Sequence, residues 1–375
     1  KTIEGHAVRA TLFATGATAA ALENHSPEYI AAVSRLWDNM IGKRMFITGG
    51  VGAVHFDEKF GPDYFLPTDA YLETCAAVGA GFFSQRMNEL TGDAKYMDEL
   101  ERTLYNNVLT GISLSGTQYT YQNPLNSAKH ARWSWHDCPC CPPMFLKMMS
   151  AMPGFIYSQK GSDVYVNLFV GSETEMTLAD RNRVRLTQKT GYPWEGVVTM
   201  TVEPEKEKTF ILKVRIPGWA QGVENPYGLY RSEVRSAVSL KVNGKSVPLK
   251  IFKGYAEIQR KWKKGDQVEL TLPVQPRLVT ANEAVADLQD KVAIAAGPFV
   301  YCLEGCDNEG LADLKVDMRS PLSITFEKGL LNGINVIKGQ ALDKTGKKVP
   351  VTAIPYYALG NRQDKGYAVW IPASK

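Results

Sequence analysis

Long runs of one charge, long apolar runs and a disulfide spacing pattern are all missing from this 375-residue sequence. Lys and Arg number 43 against 39 Asp and Glu, a net charge of +4 with the signs interspersed. Nucleic acids and anionic membrane surfaces demand concentrated basic patches, so neither is expected as a partner. No window approaches eighteen consecutive apolar residues, and no transmembrane helix is expected. No leader peptide is visible, and the opening Lys1-Thr2-Ile3-Glu4 lacks an initiator methionine. Repeats with a period of about 20–50 residues are absent, as are low-complexity tracts. Six cysteines in a chain this long do not make a disulfide framework. What remains is ordinary globular composition, 44% apolar and 22% charged, with length for about two or three domains.

The cysteines that are present cluster. Cys138, Cys140 and Cys141 fall within His136-Asp137-Cys138-Pro139-Cys140-Cys141-Pro142-Pro143. Paired prolines suit a helix's first turn, which puts Cys140 and Cys141 at or just before a helix N-terminus. Partial positive charge there favours thiolate. These eight residues fit a metal-bound or nucleophilic thiolate. They fit a structural zinc knuckle or a strained disulfide between neighbours equally well. Cys302 and Cys306 lie apart, beside the apolar Val300-Tyr301-Cys302-Leu303, and read as buried thiols.

The first 155 or so residues read as helices. His6 to about Glu23 is rich in helix-forming Ala and Leu. Ser26-Pro27-Glu28 is a start signal for a helix to about Gly42, with Val33, Leu36, Trp37 and Met40 on its apolar face. Further helices are expected from Tyr71 to Leu90, from Tyr96 to Val108 at 3.6-residue spacing, and from Pro143 to Met152. Two long connections, 45–70 and 113–141, interrupt them, and long ordered loops usually carry function. From Phe155 onward short β-branched runs bounded by Gly, Pro and Asn243-Gly244 predict β-sandwich modules. Pro273 to Ala281 reads as a linker before a second β-rich region. The domains expected are thus 1–155, 156–275 and 276–375.

Glu73-Thr74-Cys75 opens the third helix. Joined to Cys140 and Cys141 it would complete three thiolates and a carboxylate, ligand types that zinc takes with Zn–S near ~2.3 Å. Structural sites more usually use cysteines alone or with histidine, so the carboxylate hints at catalysis. Thr48-Gly49-Gly50-Val51-Gly52 lacks the third glycine and the framing strand of a dinucleotide loop. Asp57 and Glu58 downstream are candidate acids in a polar cleft or simply solvated charges.

Gly5-His6-Ala7-Val8-Arg9-Ala10, Thr48 to Gly52, Glu58-Lys59-Phe60-Gly61-Pro62-Asp63-Tyr64, Tyr71 to Ala77 and Cys138 to Pro143 occur in this order. Together they resemble the β-L-arabinofuranosidase family, glycoside hydrolase family 127 and its relatives. Gly297-Pro298-Phe299-Val300-Tyr301-Cys302 and Ala353-Ile354-Pro355-Tyr356-Tyr357 extend the likeness over most of the chain. The resemblance implies an (α/α)₆ toroid followed by β-sandwich domains, and a retaining glycosidase with a cysteine nucleophile at a zinc site. It assigns Cys140 as nucleophile, Glu58 as general acid/base, and Glu73, Cys75, Cys140 and Cys141 as Zn²⁺ ligands. His6 and Tyr121 would bind substrate, and Cys138 would be no ligand. Retention needs nucleophile and proton donor on opposite sides of the scissile bond, ~5–5.5 Å apart in the carboxylate version.

Three departures from the family pattern stand out. Lys59 follows Glu58 where a small residue is usual, and would suit a substrate carboxylate. Thr68-Asp69-Ala70 is one residue short. Only five or six helices are present where a toroid needs twelve, so an N-terminal helical half is expected from elsewhere. The substrate expected is an oligo- or polysaccharide with a β-L-arabinofuranoside, or a related branched acidic furanoside of plant pectin. A homo-oligomer stays open. The competing readings are a non-catalytic carbohydrate-binding or structural protein with a structural zinc, and a toroid-fold polysaccharide lyase.

Overall fold

The computed structural model describes residues 2–129, 132–233, 236–363 and 365–374. Helices fill the N-terminal part and strands the remainder, a mixed multidomain architecture. Five main helices run Ala7–Asn24 (α1), Pro27–Asn39 (α2), Thr74–Thr91 (α3), Lys95–Thr103 (α4) and Cys141–Ala151 (α5). Ser26 caps α2 as its sequence predicts, accepting from the Tyr29 N–H at 3.4 Å, with Pro27 in the first turn. The patterns expected to carry α2 to Gly42 and α4 to Val108 do so, but wider-wound: Met40–Arg44 and Leu104–Val108 are π turns.

Helix α3 is buried on nearly every side and packs against α1. The contact is close because small residues face each other. A Cβ on Gly79 would come within 2.2 Å of Thr11 Oγ1 and 3.0 Å of Thr11 Cβ. Rotating Thr11 therefore cannot make room. Gly79→Ala gains about 1 kcal/mol of helix propensity but should lose about 1–3 kcal/mol to overpacking. A net fall in the urea midpoint checks this; a rise would mean that α1 shifts freely.

The third helix begins later than Tyr71. Tyr71 and Leu72 instead donate their N–H groups to the Ala53 and Gly52 carbonyls at 3.2 and 3.0 Å, and Leu72 is left-handed with φ 47°. Pairing with the 51–53 loop outcompetes the first helical turn and leaves Glu73 at the N-cap position.

Beyond α5 two sheets face each other. One holds the strands Tyr157–Lys160, Asp163–Val166, Lys208–Arg215, Ile251–Phe252 and Tyr255–Trp262. The other holds Ser172–Thr177, Arg183–Thr190, Val197–Pro204, Ser239–Val242, Lys245–Ser246 and Asp266–Thr271. Alternate residues such as Val198, Met200, Val202 and Leu212, Val214 form their shared core. The final region goes beyond the β-rich module expected, because its ladder closes on itself. Phe299–Glu304 pairs with Lys348–Pro355, that with Ile334–Leu342, that with Lys315–Asp317, then Ile371–Ser374, then Lys291–Ala296, which returns to Phe299–Glu304. One set of side chains, including Ile294, Tyr301 and Ile337, fills this ring; another, including Val300, Cys302 and Ile354, faces Phe46, Leu72 and Leu125 of the helical part. The linker read at Pro273–Ala281 is corrected in its second half: Pro276–Ala281 is a strand, with Arg277 and Val279 buried and proline at its first residue.

Candidate functional site

Four side chains distant in sequence meet where α3 and α5 begin. The Cys75 sulfur lies 3.4 Å from that of Cys140 and 3.5 Å from that of Cys141, and Cys140 and Cys141 are 3.9 Å apart. Glu73 Oε1 is 3.5 Å from Cys140 and 3.9 Å from Cys141. All six cysteines are free thiols. A tetrahedron of sulfurs at about 2.3 Å from a metal has edges of about 3.8 Å, so these separations fit one zinc-sized ion. The second carboxylate oxygen, Glu73 Oε2, is buried without a hydrogen-bond partner, as expected of a group shaped for something else. The donor set thus fits a metal in number, kind and spacing.

The electrostatics single out one sulfur. Hydrogen bonds from Cys141 and Cys75, with a further one from Tyr121, hold Cys140 well below the usual thiol range against the effect of burial. Cys75 and Cys141 are pushed up, chiefly because they bond to Cys140. Burial, and then the charge on Cys140, raises the Glu73 carboxyl to about 8. Cys140 is also the partly exposed member of the cluster.

Two pairings hold this corner. Thr74 N–H donates to the Tyr121 carbonyl at 3.0 Å, and the Asn123 amide donates to the Leu72 carbonyl and Thr74 hydroxyl at 3.0 and 2.9 Å. The glycine run serves packing. Gly49 has φ 78° and its Cβ would meet the Thr103 backbone at 2.4 Å; Gly52 has φ 90° and would press on Ala7 at 2.8 Å.

Glu58 sits on a single 3₁₀ turn, Phe56–Glu58, where Asp57 and Glu58 are both left-handed at φ 57° and 49°. Such backbone costs of order 1 kcal/mol per residue and persists only when its surroundings hold it. They do: Tyr71 Oη donates to Glu58 Oε1 at 2.7 Å, and His6 Nε2 lies 3.0 Å from Oε2. His6 itself pairs with Lys59 as an isolated bridge. The carboxylate opens on a cleft of ≈ 1030 Å³ lined by His6, Arg9, Phe13, His55 and Lys59. Lys59 Nζ is 3.5 Å from Asp57 and over the Phe56 ring at 5.0 Å.

Tyr71 and Tyr121 join the two halves. Their rings meet edge-on at 6.2 Å; Tyr71 holds Glu58, and Tyr121 packs in one cluster with Cys140. The structure places Glu73, Cys75, Cys140 and Cys141 in one cluster with Tyr121 packed against it, and sets His6 beside Glu58. Tyr71 was missed as a site residue because the apolar pattern counts it as helix. Its position two residues before Glu73 was the available signal. Cys138 is exposed and outside the cluster, Cys302 is buried, and Cys306 is half-buried 3.6 Å from Glu304. A second group of possible ligands among the described residues, Glu304, Cys306 and Asp307, already has both its carboxylates bridged by the forked Arg362 guanidinium.

Comparison with known proteins agrees along the whole chain. Models of the β-L-arabinofuranosidase GH127 catalytic, middle and C-terminal domains match residues 1–154, 163–274 and 276–372. The non-reducing end β-L-arabinofuranosidase of Bifidobacterium longum subsp. longum is 28% identical over 404 aligned residues, covering 97% of this chain and 58% of that protein. A solved GH127 β-arabinofuranosidase is 39% identical with a TM-score of 0.94, covering 100% of this chain and 61% of the other. The crystal structure of a GH127 β-L-arabinofuranosidase from Geobacillus stearothermophilus T6 is 36% identical with a TM-score of 0.93, at 100% and 61% coverage. The chain therefore spans about three fifths of the length of these relatives. On three consecutive domain matches, it belongs to glycoside hydrolase family 127.

Proposed function

We propose that this chain carries the catalytic residues of a retaining glycosidase acting on a β-L-arabinofuranoside or a related acidic furanoside of plant pectin. The observation that carries the reading is the convergence of Glu73, Cys75, Cys140 and Cys141 at ligand spacing, with Cys140 the partly exposed sulfur. Zn²⁺ held by these four residues would keep the thiols deprotonated at neutral pH. Cys140 Sγ attacks the anomeric carbon as the glycosidic C–O bond breaks, and Glu58 gives its proton to the departing oxygen. Water then attacks the thioglycoside carbon, Glu58 takes a proton from that water, and the Cys140 sulfur leaves with its electron pair. Tyr71 and His6 orient the Glu58 carboxyl, and Tyr121 orients the sulfur. His6 also lines the cleft wall, where its Nε2 edge would meet sugar hydroxyls. Lys59 faces the same cleft, where it would meet a substrate carboxylate.

The same reading divides the chain at residues 155 and 275 and takes α1–α5 as the C-terminal half of an (α/α)₆ toroid. Support comes from the open side of α1, where Phe13 is 74% exposed. Further helices would cover that side, and an intact mass of the native protein near 41.5 kDa with normal activity would refute the half-toroid.

The test is hydrolysis of aryl β-L-arabinofuranoside by the native protein, followed by nuclear magnetic resonance. The expected first product has retained configuration, activity is lost with chelation, and zinc restores it. Intact zinc with no furanoside cleaved would leave a structural site only. Products absorbing in the ultraviolet would mark a lyase instead.

A further inference from the structure

His136 has no role in the scheme above, although it opens the cysteine segment. We propose that it is a positioning residue for Cys140: its Nδ1 accepts the N–H that fixes the turn presenting the thiol. The inference rests on the reading of Cys140 as nucleophile. Cys138 N–H donates to His136 Nδ1 at 3.1 Å, and Cys140 N–H donates to the Cys138 carbonyl at 2.9 Å. Pro139, Pro142 and Pro143 have no N–H to offer, so very few backbone bonds define this turn. The imidazole is itself fixed. It stacks on the Trp133 indole with centroids 4.4 Å apart and planes at 9°. Trp133 is tied to Tyr119 by reciprocal backbone hydrogen bonds of 2.9 and 2.8 Å. Tyr121, two residues further along, leans on both rings at 5.9 and 5.3 Å and packs in one cluster with Cys140. One aromatic stack therefore fixes the thiol from two sides, through Tyr121 at the sulfur and through His136 at the backbone.

Asn and Gln separate this role from simple packing. Asn at 136 sets its amide oxygen near the place of Nδ1, whereas Gln sets it near Nε2. The zinc-loaded native protein and the His136→Asn and His136→Gln variants are compared by two readouts. One is the rate of Cys140 alkylation by iodoacetamide, followed by mass spectrometry of its peptide. The other is kcat and KM on aryl β-L-arabinofuranoside. His136→Gln should slow both alkylation and kcat about tenfold, the scale of one hydrogen bond, with KM and zinc content held. His136→Asn should recover most of that loss. Equal behaviour of the two variants, or parental rates in His136→Gln, would overturn the proposal. Should the parent fail to cleave the furanoside, the glycosidase reading falls, and the alkylation rates still decide the positioning role.

Discussion

Cys140→Ser is expected to cut turnover of aryl β-L-arabinofuranoside on the order of 10⁴-fold or more, the scale seen when a nucleophile acting within a unit is removed. Serine keeps the shape but not the chemistry. Cys140 is the partly exposed sulfur of the cluster, and a hydroxyl placed there would stay protonated at neutral pH. Cys75, Cys141 and Glu73 remain to hold the metal, since three protein ligands suffice at many zinc sites. Zinc content and the thermal midpoint should therefore change little while activity vanishes. The neighbouring Cys138→Ser supplies the control: that side chain is exposed and outside the ligand set, so turnover should stay near the parent's. A Cys140→Ser protein retaining a tenth of parental kcat would end the nucleophile assignment.

The cluster was legible in sequence because its chemistry is local. Glu73 and Cys75 share one helix start, Cys140 and Cys141 another, and the prolines announce the second. Ser26-Pro27 announced α2 in the same way. Tyr71 and His136 were less readable, since their importance comes from partners far away. Tyr71 serves the site only because Leu72 and Tyr71 pair with the 52–53 loop, and His136 only because Trp133 is held by Tyr119. The strand at Pro276 and the closed ladder of the last region fail for the same reason. Alternation marks a strand, but nothing in Lys291–Ala296 says that it pairs with Pro276–Ala281, Phe299–Glu304 and Ile371–Ser374.

The second large effect lies at the joint between α4 and the following sheets, where Arg215→Met should cost about 3–5 kcal/mol of stability. Arg215 is fully buried on the strand Lys208–Arg215. Its guanidinium donates to Asp98 Oδ1 at 2.6 Å and to Glu101. Tyr192 Oη and Trp219 Nε1 also donate to Glu101, at 2.9 and 3.4 Å, and Gly218 N–H donates to Asp98 at 3.1 Å. Methionine fills the volume but strands two carboxylates in an apolar joint. The pH dependence gives the mechanism away. Burial raises Asp98 to about 6 even with Arg215 opposing it, above the roughly 3.9 of an unfolded chain. The native state therefore holds that proton more tightly than the unfolded state does. Its contribution is full below pH of about 4 and is lost as pH rises through about 6. Without Arg215 the attraction opposing burial is gone, so the folded pKa climbs further. The gap between parent and variant should widen from pH 5 to pH 8, and Glu101→Gln added to Arg215→Met should narrow it again by removing one stranded charge. Urea unfolding at the two pH values measures this directly. A gap independent of pH would mean that lost packing, and not uncompensated charge, accounts for the damage.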